Sequence, residues 1–90
     1  MRCISVYTKD FAIFSDLYQE IINTPLQDNE EKSIEGIVFS DSGEVDEAYV
    51  NRLKQRSEVA VMKLKQSDVM ILQHGEVFEI ILPEPQIMVH

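Results

Sequence analysis

The sequence predicts an α+β domain of element order β-α-β-α-β-β-β, a two-layer arrangement in which a five-stranded mixed sheet carries two helices on one face. Three observations lead there. Helical periodicity is confined to two segments, one over residues 9–23 and one following the turn at 41–43. Period-two alternation dominates from residue 59 to Pro83. The chain has 90 residues, enough for one thin core, so residues 1-90 are expected to form a single domain with 83-90 as an ordered C-terminal tail.

Arg2 to Tyr7 alternates as a strand, with Ile4 and Val6 facing one way and Cys3, Ser5 and Tyr7 the other. Thr8 then offers an N-cap oxygen, and a helix is predicted from about Lys9 to Asn23. Phe11, Ile13, Phe14, Leu17, Tyr18, Ile21 and Ile22 share roughly half of its circumference, while Asp16, Gln19, Glu20 and Asn23 share the rest. Pro25 stops it by pushing Thr24 out of the helical region.

Residues 26–33 are charged and read as a loop; Ile34 to Phe39 reads as a strand with apolar side chains on both faces, which suits a central place in the sheet. Asp41, Ser42 and Gly43 form a turn. The second helix has two competing starts, a capping box of Asp41 with Glu44 and a shorter helix capped by Asp46, and either ends near Gln55 or Arg56.

Val59 to Lys65, Val69 to Gln73 and Glu76 to Leu82 are predicted strands, the last two joined by a two-residue turn at His74-Gly75. Pairing Gln73 with Glu76 places Ile71 opposite Phe78 and Val69 opposite Ile80 on a core face. Met70, Leu72, Val77 and Ile81 then fall on the reverse face. Two helices on the other side cannot shield that reverse face, so these four residues, with Ile87, Met88 and Val89 of the tail, form the candidate interface.

Charge narrows the partners. Sixteen acidic and eight basic residues give a net charge of -8, the wrong sign for phosphate-driven binding, so nucleic acid is not expected. All of the excess lies in residues 1–51, whereas Arg52, Lys54, Arg56, Lys63 and Lys65 oppose only Glu58 locally and form a candidate charged patch. That patch suits the acidic stretch at 28–47 of another copy, which would orient self-association. No apolar run approaches the about 20 residues that cross a bilayer, so no membrane partner is expected. Cys3 is the sole cysteine, which excludes an intrachain disulfide and suits a reducing, cytoplasmic setting.

The residues capable of chemistry have structural readings beside the functional ones. His74 at a hairpin tip tolerates an unusual backbone angle, and neither His74 nor His90 has a second histidine at ligand spacing. Cys3 within a strand reads as a small buried hydrophobe unless a positive field lowers its pKa. Ser40, Asp41 and Ser42 lie where α/β sites gather, yet serine beside aspartate is also what a cap requires. The acids Asp28, Glu30, Glu31, Glu35, Asp41, Glu44, Asp46 and Glu47 match no calcium-loop spacing, and Gly36, Gly43 and Gly75 are too dispersed to cradle phosphate. The sequence therefore assigns no catalytic residue, no metal ligand and no cofactor. It predicts a non-enzymatic, cytoplasmic interaction or regulatory module that self-associates, with a protein partner as a further prospect. The alternatives are a small-ligand sensing domain with its site at a subunit boundary, and an enzyme whose site is shared across a dimer, with Asp41 or Glu79 near His74 or Lys63.

Overall fold

A computed structural model describes residues 1–57, 62–63 and 69–82. Along the chain these form β1 (Arg2–Val6), α1 (Phe11–Asn23), β2 (Glu31–Ile34), β3 (Ile37–Glu44), α2 (Glu47–Arg56), β4 (Met62–Lys63), β5 (Met70–His74) and β6 (Val77–Leu82). The protein is an α+β domain, one sheet with two helices, as the patterning predicts. The sheet runs β2-β3-β1-β6-β5-β4.

Among the described residues the strands number six rather than five, and every pairing is antiparallel rather than mixed. One local feature causes both differences. The run 34–39, expected as a single strand, contains a hairpin: Glu35 and Gly36 both adopt positive φ, 51° and 81°, as a tight turn between β2 and β3 requires. The additional reversal brings β3 back antiparallel to β1, and the expected loop at 26–33 contributes β2 as an edge strand.

α1 begins one cap later than expected. Asp10, not Thr8, is the N-cap; its carboxylate accepts from Ala12 N at 2.9 Å and Ile13 N at 3.2 Å, while Thr8 Oγ1 accepts from Asp10 N. The C-terminus falls as predicted, with Thr24 extended before Pro25. α2 takes the shorter of its two starts. Asp46 accepts from Tyr49 N at 2.8 Å, whereas Asp41 lies within β3, where one oxygen accepts from Gly43 N at 2.7 Å and the other from Arg2. The predicted turn at 41–43 is accordingly part of an eight-residue strand with an irregular register against β1.

The helices lie on opposite faces of the sheet, not on one. β1 shows why: Ile4 and Val6 join the cluster under α1 with Phe14, Leu17, Tyr18, Ile21, Phe39, Ile71, Phe78 and Ile80, whereas Cys3 joins Val50 and Leu53 of α2 with Leu72 and Ile81. Successive residues of a strand point to opposite sides, so these clusters are separated by the sheet itself. Under α1, Phe14 stacks on Phe78 with ring centroids 4.3 Å apart and 12° between planes.

The β5–β6 hairpin differs from its predicted register by two residues. His74 pairs with Val77, Gln73 with Phe78 and Ile71 with Ile80, so the two-residue loop is Gly75-Glu76. A slip of two keeps every side chain on its expected face. Val69, Ile71, Phe78 and Ile80 are therefore the core side as predicted, and Met70, Leu72, Val77 and Ile81 the reverse side. That reverse side is not bare, however: α2 covers three of the four residues, leaving Leu72 0% and Ile81 3% exposed and Met70 half-buried, while Val77 is half-buried outside the cluster under α2. The tail residues Ile87, Met88 and Val89, and the candidate Lys65, lie outside the described residues.

Candidate functional site

The antiparallel registers arrange the α2 side of the sheet into cross-strand rows. The first is Cys3, Ile81, Met70 and Lys63, the second Glu31, Ser40, Ser5, Glu79 and Leu72. A third row holds Val77 beside His74 and, continuing the β1 pairings, Tyr7 beside Val38. α2 packs over Cys3, Ile81, Met70 and Leu72. Polar groups collect in the others.

At the centre is Glu79, buried on a strand whose remaining residues are apolar. Its Oε2 accepts from Ser5 Oγ at 2.6 Å and from the Cys3 thiol at 3.0 Å, and its Oε1 lies 3.1 Å from His74 Nε2. Both carboxylate oxygens are thus used, as burial of a charge demands. Burial, then the hydrogen bond to Glu79, then that carboxylate's charge push the Cys3 thiol well above its ordinary range. Such a thiol is held protonated and is a poor nucleophile. Tyr49 at the edge of α2 is raised as well, first by burial and then by the nearby Cys3 and Glu79. Further out, the Tyr7 and Ser40 hydroxyls are 3.2 Å apart.

A second polar cluster lies across the sheet and pins the 24–30 segment. Arg2 donates to Asp41 Oδ2 through Nε and an Nη nitrogen, at 3.1 and 2.6 Å, and to Asp28 Oδ1 at 2.9 Å. The bond to Asp41, more than any other influence, raises the Arg2 guanidinium above its ordinary value. Asn29 N also donates to Asp41 O at 2.8 Å, so this cluster is a brace between loop and strand.

A groove runs along the other flank of α2. It encloses about 330 Å³ and is lined by Met1, Glu47, Val50, Asn51, Lys54 and Met70. Val50 and Met70 supply an apolar floor; Glu47, Asn51 and Lys54 are exposed and make no ion pair among the described residues. At 100° per residue these three fall within about 60° of arc on the helix. Arg52 and Arg56 lie about 160° from Lys54. The helix therefore divides the candidate charged patch: Arg52 and Arg56 share one flank, Lys54 lines the groove, and Lys63 is on strand β4 opposite Met70.

The remaining candidates are placed simply. His74 is at the end of β5, its side chain 29% exposed, bonded to Glu79 within its own hairpin. His90 lies outside the described residues. Among those described, no group of three His, Cys, Asp or Glu side chains is arranged to hold a metal ion, and no helix is long and apolar enough to cross a membrane. The Ser5–Glu79–Cys3 cluster was not foreseen from sequence. One signal for it existed: a glutamate in the middle of Val-Phe-Glu-Ile-Ile-Leu has to find donors, and its partners in β1 follow once the β1–β6 register is known. No protein-family model matches the chain, and no curated protein or solved structure does.

Proposed function

We propose that this chain is a non-enzymatic binding module that holds a small ligand in the groove beside α2. The observation that carries the reading is the coincidence, in one groove of about 330 Å³, of an apolar floor with three uncommitted polar side chains, Glu47, Asn51 and Lys54. Small-molecule sites occupy roughly 300–1,000 Å³ and pair apolar lining with a few polar groups. The Glu79 cluster supports a binding role rather than catalysis, because its carboxylate oxygens are occupied and its thiol is sealed and protonated. A regulatory role in the cytoplasm is in keeping with this cysteine. The test is to record the Met70 methyl resonance while titrating a library of small charged and zwitterionic compounds. Shifts at Met70 that Lys54→Met weakens support the reading; a library that leaves Met70 unmoved overturns it.

Self-association is a second reading, favoured by the exposed Arg52 and Arg56, which make no ion pair among the described residues, and by the exposed Glu31 of β2 and Glu35 of the β2–β3 turn. Sedimentation in low and high salt tests it. Association that rises at low salt and disappears in Arg52→Glu/Arg56→Glu supports a charge-guided contact, while a monomer at hundreds of micromolar at low salt removes it.

A further inference from the structure

We propose that the ligand of the α2 groove is a short unblocked peptide of about three residues, bound with its ammonium at Glu47 and its carboxylate at Lys54; this rests on the groove being the binding site. The argument is one of spacing and charge. Glu47 and Lys54 are seven residues apart on α2, which separates them by about 10 Å along the axis and only about 20° around it. The two opposite charges thus stand at the ends of one side of the groove. A three-residue peptide extends to about 10–11 Å, so its termini reach both charges at once.

The middle of the groove fits the middle of such a peptide. Asn51 projects between the two charges on the same arc and offers both a donor and an acceptor, the pair of groups that a peptide unit presents. Val50 and Met70 form the apolar side, and methionine adapts to side chains of varied shape. The arrangement discriminates against other ligands of similar size. A dianion meets Glu47, a dication meets Lys54, and an amino acid, whose ammonium and carboxylate share one carbon, is too short to reach both charges.

The test uses the intact chain and three probes: trialanine, N-acetyl-trialanine and trialanine amide, each titrated while the methyl resonance of Met70 is followed. Exposed ion pairs contribute modestly, so blocking either terminus is expected to weaken binding about two- to fivefold. In Glu47→Gln the acetylated and free peptides are expected to bind alike, and in Lys54→Met the amide and free peptides are. Circular dichroism of both variants checks that α2 is retained. Equal binding of free and blocked peptides to the wild type overturns the assignment of the termini. If no peptide shifts Met70 while other zwitterions do, the peptide class is wrong and the groove reading stands. If nothing in the titrations or the library moves Met70, both fall.

Discussion

Ser5 and Glu79 face each other across β1 and β6, and the serine hydroxyl donates to the glutamate at 2.6 Å beneath the surface of the sheet. With Cys3 and His74 on the same carboxylate, the two central strands are joined by a buried polar cluster as well as by their ladder. Clusters of this kind are costly when incomplete.

Removing the acceptor is therefore expected to be worse than removing any one donor. Glu79→Ala leaves Ser5 and Cys3 without their partner and is expected to lower the unfolding free energy by about 2–4 kcal/mol, against about 1 kcal/mol for Ser5→Ala. Urea denaturation followed by far-UV circular dichroism measures both. Equal costs for the two substitutions would show that Glu79 is not the hub.

Cys3 gives stability a pH dependence of known sign. Its folded thiol is raised above the ordinary value of 9.0, so the folded state keeps a proton that the unfolded chain releases. The contribution is complete below that value and is lost as pH rises beyond it, by at most about 1.4 kcal/mol per unit. Tyr18 and Tyr49 are raised in the same direction from 10.0, so they add to the loss at still higher pH. Denaturation midpoints of wild type and Cys3→Val from pH 8 to 10 should converge with rising pH. A parallel pair of curves would contradict the sealed thiol.

The cap of α1 separates Asp10 from Thr8. Asp10→Ala is expected to cost about 1 kcal/mol, because its carboxylate serves two helix amides. Thr8→Ala, which removes a bond to one amide outside the helix, should cost less. Thermal melts of the two variants rank them, and the reverse order would restore Thr8 as the cap.

The β2–β3 turn holds a strained residue. Glu35 sits at φ 51°, a region that costs an ordinary side chain about 1 kcal/mol and that asparagine enters more readily. Glu35→Asn is expected to stabilise the protein by about 0.5 kcal/mol, read as a rise in the urea midpoint. A fall would mean that Glu35 makes a compensating contact.

The core under α1 offers the clearest contrast. Phe14 is 1% exposed and stacked on Phe78, whereas Phe11 is 46% exposed at the helix start. Phe14→Ala is expected to cost about 3–5 kcal/mol, a large part of the roughly 5–15 kcal/mol available to a domain of this kind. Phe11→Ala should cost under half as much. Comparable losses would place the two rings in equivalent surroundings.

Much of this fold could be read from local patterns, because period and capping are local properties. The α1 face, the end of α1 at Thr24, the end of α2 at Arg56, and the inward side of Ile71, Phe78 and Ile80 all follow from them. What failed depended on backbone angles or on distant partners. Glu35 gave no warning that it would join Gly36 at positive φ, and that turn alone converted one strand into two and reversed the direction of β3. The helix placement failed with it, since the two-helices-on-one-face arrangement assumed parallel crossovers. Leu72 and Ile81 then looked uncovered because α2 had been put on the wrong side. The groove residues Glu47, Asn51 and Lys54 share one arc of α2, but their neighbours Met1 and Met70 come from distant parts of the sequence.

β1 occupies the middle of the sheet, yet its flanking strand β6 is made after every other described strand, with Arg2 paired to Leu82. During synthesis, the emerging polypeptide can dock β3 early but has nothing to lay against the far edge of β1 until the closing hairpin has left the ribosome. β1 thus stays open on that side until β6 is available, and a product truncated before β6 exposes a ready template for stray pairing.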